Sequence, residues 1–171
     1  GYIGGTEDPR IVYGFGGVIA YKNIDFNFFF QGTADAHRVI GNSTIFLPGS
    51  GTTVQGNAYS ENLDDRWTDD NQDPYAFWPR LTYGPNKNNY RASTWWKKDM
   101  SFLRLKTVEI GYTFPKKWME KIYSKGARVF VSGNNLLCFS PFKLWDPELG
   151  TNNGLKYPMN RSILFGIDIN F

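Results

Sequence analysis

Cysteine is almost missing from these 171 residues, with Cys138 standing alone. That excludes an internal disulfide framework and a thiolate metal site, since each needs several cysteines. Long apolar runs are missing as well. Apolar stretches are broken within about ten residues by Asp, Asn, Gln or Lys, whereas a membrane-crossing helix needs roughly 20 apolar residues in a row. Charge of one sign is also lacking: 19 basic residues face 16 acidic ones for a net charge of +3. Such a chain has no strong field to gather nucleic acid, and no nucleic-acid partner is expected. The single histidine, His37 beside Arg38, is expected to be a solvated loop residue, so there is no catalytic constellation and no enzyme is expected. Residues Gly1 to Gly5 carry no initiating Met, basic segment or apolar segment of a secretory signal. The expectation is an internal start within a longer polypeptide.

What is abundant is aromatic and glycine: 14 Phe, 10 Tyr and 6 Trp stand beside 18 Gly. That pairing suits strands joined by turns better than helices. Period-two patterning predicts five strands. The first, Arg10–Lys22, puts Ile11, Tyr13, Phe15, Ile19 and Tyr21 on one face, with Val12, Gly14, Gly16 and Ala20 on the other. After a tight Lys22-Asn23 turn, a shorter second strand alternates Ile24, Phe26, Phe28 and Phe30 with Asp25, Asn27, Phe29 and Gln31. The third, Ser101–Phe114, has no purely apolar parity. A helix-like stretch over Pro115–Tyr123, with Pro in a first-turn position, leads to the fourth strand, Ala127–Leu136. The fifth, Asn160–Phe171, places Ile163, Phe165, Ile167, Ile169 and Phe171 on one parity, and Leu164, Gly166, Asp168 and Asn170 on the other.

The connections alternate in length. Links after the first and third strands are short, whereas Gly32–Met100 and Leu137–Met159 are long and rich in Asn, Asp, Gly and Pro. Short turns at one end and long loops at the other describe the wall of a transmembrane β-barrel. The predicted class is therefore all-β, an antiparallel barrel sector. Since the smallest membrane barrels have about eight strands, the chain is expected to be a fragment of a larger one. A further hairpin at Ser43–Val54 is conceivable, but its polar, Pro-broken texture favours loop.

Within the loops, Asp69-x-Asn71-x-Asp73 spaces oxygen ligands at alternate positions. Pro74 stands where a calcium loop needs Gly, and the twelfth-position Glu is missing. A solvated loop is expected there, with no metal and no cofactor. Trp67, Trp78 and Trp145, with Tyr59, Tyr75 and Tyr90, are candidates for a stacking surface toward substrate or a docking partner; the alternative for the same residues is a self-packed loop or an interfacial aromatic belt. Trp95-Trp96 directly precede a strand, so an interfacial aromatic belt is expected for that pair.

Several runs resemble one family. Phe102 to Pro115 (FLRLKTVEIGYTFP) resembles a late segment of SusC/RagA-type TonB-dependent transporters. Arg128 to Leu136 (RVFVSGNNL) resembles a strand of the same family, and Asp146-Pro147-Glu148 one of its loops. Tyr13-Gly14-Phe15, Arg66-Trp67-Thr68, Trp78-Pro79-Arg80 and Tyr157-Pro158 also resemble its elements, and along the chain the pieces stand in the right order. Phe102, Phe114 and Asn134 depart from the family's commoner residues without damage to the strand pattern. The resemblance implies that residues 1–171 are the C-terminal part of a barrel of about 22 strands in the bacterial outer membrane, the plug and TonB box lying outside these residues. It further implies uptake of glycans, oligopeptides or similar bulky nutrients with a SusD-like surface lipoprotein as lid, and energy from the TonB complex. Gly166-x-x-Ile169-x-Phe171 is similar to the insertion signal read by the barrel-assembly machinery, although Leu164 stands where a polar residue is usual. Ile163, Phe165, Ile167, Ile169 and Phe171 are then expected to face outer-membrane lipid. The alternative is a soluble β-rich carbohydrate-binding module with an exposed Trp platform. Such a module needs a second sheet over that apolar row, and the remaining strands barely supply one.

Overall fold

In the computed structural model, residues 3–40, 60–82, 86–89 and 91–171 are described. The candidate hairpin at Ser43–Val54, and Tyr59 and Tyr90, lie outside the described residues. Among the described residues seven strands form: β1 (Ile11–Tyr21), β2 (Ile24–Ala34), β3 (His37–Val39), β4 (Lys97–Asp99), β5 (Phe102–Thr113), β6 (Gly126–Phe139) and β7 (Ser162–Asn170). The five long ones make a single sheet in the order β1-β2-β5-β6-β7, every neighbouring pair antiparallel. In such a meander successive links fall at alternate ends. The β1–β2 turn and the β5–β6 link therefore share one end, and the β2–β5 and β6–β7 links share the other, as the spacing of strands and loops predicts.

Three elements differ from the sequence reading. The second strand is as long as the first, because Gly32, Thr33 and Ala34, which look turn-like in isolation, pair with β1 at Tyr13, Val12 and Ile11. The fourth strand runs on to Phe139, where it pairs with Leu103. The third strand is not mixed after all. A bulge leaves Lys106 unpaired, since Phe29 stands opposite Thr107 and Phe30 opposite Leu105. One extra residue reverses parity beyond it, so Leu103 and Leu105 join Val108, Ile110 and Tyr112 on one face.

With that bulge in place, the register makes one face apolar across all five strands. Ile19 stands beside Phe26, Phe26 beside Ile110, Ile110 beside Val131, and Val131 beside Phe165. Among the described residues no layer covers this row: Phe15, Ile19, Ile110, Phe165 and Ile167 are all exposed, Phe165 by 79%. Phe15 stacks on Phe30 at 5.2 Å, and Phe26, Phe28 and Phe30 form a ladder with centroids 5.8 and 6.0 Å apart. These contacts stay within the sheet.

The buried core sits instead at the long-loop end. Ala36, Ile40, Trp78, Trp96, Met100 and Phe142 pack together, with Phe77, Trp95, Leu144 and Trp145 against them. This cluster joins residues of both long links into one unit, braced by the small β3–β4 ladder. His37, expected in a loop, belongs to that ladder, its Nδ1 3.5 Å from the Asp35 carboxylate.

Candidate functional site: the charged sheet face and the loop unit

Opposite the apolar face, the same register aligns charged and small residues. Asp25 on β2 stands opposite Gly111 on β5, and Arg128 on β6 stands opposite Asp168 on β7. Arg128 reaches sideways across β5 to grip Asp25 with two parallel bonds, Nε to Oδ1 at 3.1 Å and Nη2 to Oδ2 at 2.5 Å. It also donates to Glu109 at 2.7 Å and lies 3.9 Å from Asp168. One guanidinium thus ties together carboxylates from three other strands, a use of its planar fork that lysine cannot copy. Gly111 permits this crossing, because a Cβ there would collide with the Arg128 guanidinium. A glycine inside a strand often marks such a close approach. Gly166 has the same role one strand over, under the ring of Phe130.

A second ionic cluster anchors the β6–β7 link. Arg104 on β5 is 3% exposed at its side chain and contacts Asp146 at 2.5 Å and Glu148 at 2.9 Å. Lys106, released by the bulge, reaches Glu148 at 2.6 Å. Asp146 also accepts the Glu148 backbone N–H at 3.0 Å and so caps the short 3₁₀ turn Pro147–Leu149, whose first position Pro suits. Ser140 Oγ donates to the Ser101 carbonyl at 2.8 Å, and Arg38 donates to Asn152 at 3.2 Å. The β6–β7 link is therefore held to β5 and to the other long link by named polar bonds.

The aromatic candidates separate. Trp78, at 3% exposure, and Trp96, at 2%, are core residues, their rings 6.1 Å apart edge to face, with Trp96 Nε1 donating to the Asn89 carbonyl at 2.8 Å. This corrects two expectations. Trp78 offers no surface for stacking, and Trp96 is no belt residue, because burying both indoles is what holds the loop unit together. Trp95 is half-buried beside them and bonds the Phe77 carbonyl at 3.3 Å. Trp145 is half-buried against Phe142 at 4.7 Å. Trp67 and Trp95 line an open cleft of about 600 Å³ with Arg80, Asn88, Asn89 and Arg91. Tyr75 is 91% exposed.

Nearby, Lys98 donates to the Phe77 carbonyl at 3.3 Å and sits 3.8 Å over the Phe77 ring. Burial pushes its ammonium down to about 8, against a smaller upward pull from Asp65. Asp69 pairs with Arg80 at 2.8 Å, and Asp73 accepts the Tyr75 N–H at 2.8 Å. Two of the acidic residues that suggested calcium are thus engaged in local bonds. Among the described residues no group of three or more His, Cys, Asp or Glu side chains is placed to hold a metal.

Sequence reasoning passed over Asp25, Arg104, Lys106, Glu109 and Arg128 as site residues. The available signal was charge within strands otherwise made of apolar and small residues, beside glycines that leave room for a long side chain.

No protein-family model matches the sequence. Among characterised proteins, the chain is 33% identical to TonB-dependent receptor P26 of Formosa agariphila over 182 residues, covering 98% of this chain. It is 29% identical to TonB-dependent receptor P3 of the same organism and 23% identical to TonB-dependent receptor SusC of Bacteroides thetaiotaomicron, over 94% of this chain. The chain spans about 17% of the length of the two Formosa receptors. Among solved structures, the RagAB peptide transporter superposes with a TM-score of 0.75 at 28% identity, covering 96% of this chain and 18% of the matched one. The RagAB peptide importer in its closed-closed state gives 0.74 at 26% identity, with 96% and 17% covered.

Proposed function

We propose, for a chain that belongs with the SusC/RagA-type TonB-dependent receptors, that residues 1–171 form the C-terminal part of the barrel wall of an outer-membrane nutrient importer. One observation carries this: a single sheet of long strands that is apolar and uncovered on one face and charged on the other. An 11-residue strand runs about 36 Å, and a tilt of about 45° leaves about 26 Å of height, matching the ~25 Å apolar band of outer-membrane barrels. Lipid covers such a face without a second sheet; β2, β5 and β6 are paired on both sides as hydrocarbon demands, and the outer edges of β1 and β7 are left for neighbouring strands of the full barrel. The Arg128 network then faces the lumen.

In this reading the long-loop end is extracellular. The loop unit built on Trp78, Trp96 and Phe142 is a rigid rim, with Trp67, Tyr75 and Trp145 at or near its surface as contacts for substrate or for a SusD-like surface lipoprotein. Glycans, oligopeptides or similar bulky nutrients are the cargo class. The TonB complex acts through parts of the protein outside this chain, and the role is transport rather than catalysis. The alternative of a carbohydrate-binding module loses support from the burial of Trp78, one of the three tryptophans of its proposed platform.

The lid portion is tested by purifying the full-length tagged protein from outer membranes in mild detergent. A surface lipoprotein is expected to co-purify in equal amount, and to be lost when Tyr75 and Trp67 are both replaced by Ala. Full-length protein that assembles as a barrel and purifies without a lipoprotein would contradict the lid assignment.

A further inference from the structure

Resting on the wall reading above, we infer that the short-link end of the sheet is a binding site for anionic phospholipid headgroups. The β1–β2 turn and the β5–β6 link lie at this end, tied together by the Thr113 N–H donating to the Asn23 carbonyl at 2.8 Å. The link is a single helical turn, Lys116–Met119, followed by a 3₁₀ turn, Glu120–Ile122. It exposes Lys116, Lys117 and Lys121, and Lys22 is exposed on the neighbouring turn. Glu120 is the one acidic residue of the link. The strand carboxylates Asp25, Glu109 and Asp168 lie on the face opposite Ile110 and Tyr112 and are turned toward Arg128.

The second half of the site is aromatic. Tyr112 and Phe114 continue the apolar face to its edge, 5.3 Å apart, and Trp118 follows at 6.3 Å from Phe114, more than half exposed. Tyr21 ends β1 at the same level, with the Lys22 ammonium 5.2 Å from its ring. Aromatic rings of this kind settle at the boundary between acyl chains and headgroups. The lysines are thereby held at the phosphate level, where their charge favours an anionic surface. A zwitterionic headgroup brings its own ammonium into the same space and gains less. Lys125 is engaged differently, donating to the Phe171 carbonyl at 2.8 Å, and it fixes the link against the end of β7.

The test uses the full-length protein in nanodiscs of phosphatidylcholine mixed with phosphatidylglycerol, with native mass spectrometry counting the lipids retained. Phosphatidylglycerol is expected to be enriched on the wild type. In Lys116→Gln/Lys117→Gln/Lys121→Gln its affinity is expected to fall at least about tenfold, whereas the corresponding triple Arg variant keeps it. Heat-modifiability confirms that each variant is an assembled barrel. Equal retention of the two lipids, or wild-type enrichment in the Gln variant, overturns the headgroup site. Displacement by inorganic phosphate as effectively as by phosphatidylglycerol overturns it in favour of a plain phosphate site. A protein that never enters the nanodiscs refutes the wall reading itself.

Discussion

Replacing Arg104 by Ala is expected to release the 140–161 segment from the sheet, at a cost of about 3 kcal/mol to the loop unit. Arg104 is nearly inaccessible and holds two carboxylates, Asp146 and Glu148, within 3 Å. Removing one partner of a buried ionic cluster costs more than the pair contributed, because the remaining charges keep their desolvation penalty. Here Asp146 and Glu148 are 18% and 28% exposed, which places the cost at the low end of the usual 3–5 kcal/mol. Lys106 still reaches Glu148, so Asp146 and its 3₁₀ cap are the first to loosen. Hydrogen exchange of the full-length protein in detergent is expected to show lost protection over residues 140–161, with the β1–β2 hairpin unchanged. Arg104→Lys, which lacks the fork, is expected to fall between. Unaltered exchange in Arg104→Ala would show that the link is held without Arg104, by the apolar contacts of Phe142 and Trp145 and the remaining bonds of Lys106, Ser140 and Arg38.

Changing Phe171 to Asp is expected to lower severalfold the amount of full-length protein assembled in the outer membrane. Phe171 follows β7 directly and shares the parity of Ile163, Phe165, Ile167 and Ile169, all of which are exposed in the open sheet. In the wall reading that row faces lipid, and a charge on the lipid face costs more the deeper it sits. The same residue ends the pattern proposed as the insertion signal, so its loss acts on assembly rather than on the finished site. Ligand affinity of the assembled fraction is therefore expected to stay nearly constant. Cold gels read for heat-modifiability give the first quantity and binding by the assembled fraction the second. Normal assembly would remove the insertion role, and a large affinity loss would point to a substrate role.

Strand five and the first hairpin were readable from sequence because their alternation is unbroken: Ile163 to Phe171 and Ile24 to Phe30 each keep one parity throughout. The third strand was not, because a single unpaired Lys106 flips the faces of everything before it, and a bulge has no distinctive residue signature here. Gly32 and Thr33 were lost to the loop for a local reason, since both favour turns until a partner strand supplies their pairing. Three-residue strands such as β3 and β4 fall below any periodicity. The loop aromatics were visible but not their fates. Trp67 and Trp78 look alike in sequence, and only contact with Ile40, Met100 and Phe142 decides that Trp78 is core. The Arg128–Asp25 pair joins residues 103 positions apart, a contact fixed by strand order rather than by spacing.

The assignment of faces is open to one direct measurement. Nitroxide labels placed singly at Phe165, Ile167, Leu164 and Asp168 of the full-length protein in lipid vesicles are compared for collision with oxygen, which concentrates in hydrocarbon, and with a water-soluble nickel chelate. Labels at 165 and 167 are predicted to be relaxed by oxygen and shielded from nickel, with the opposite pattern at 164 and 168. Nickel access at 165 and 167 equal to that at 164 and 168 would contradict a lipid-facing wall.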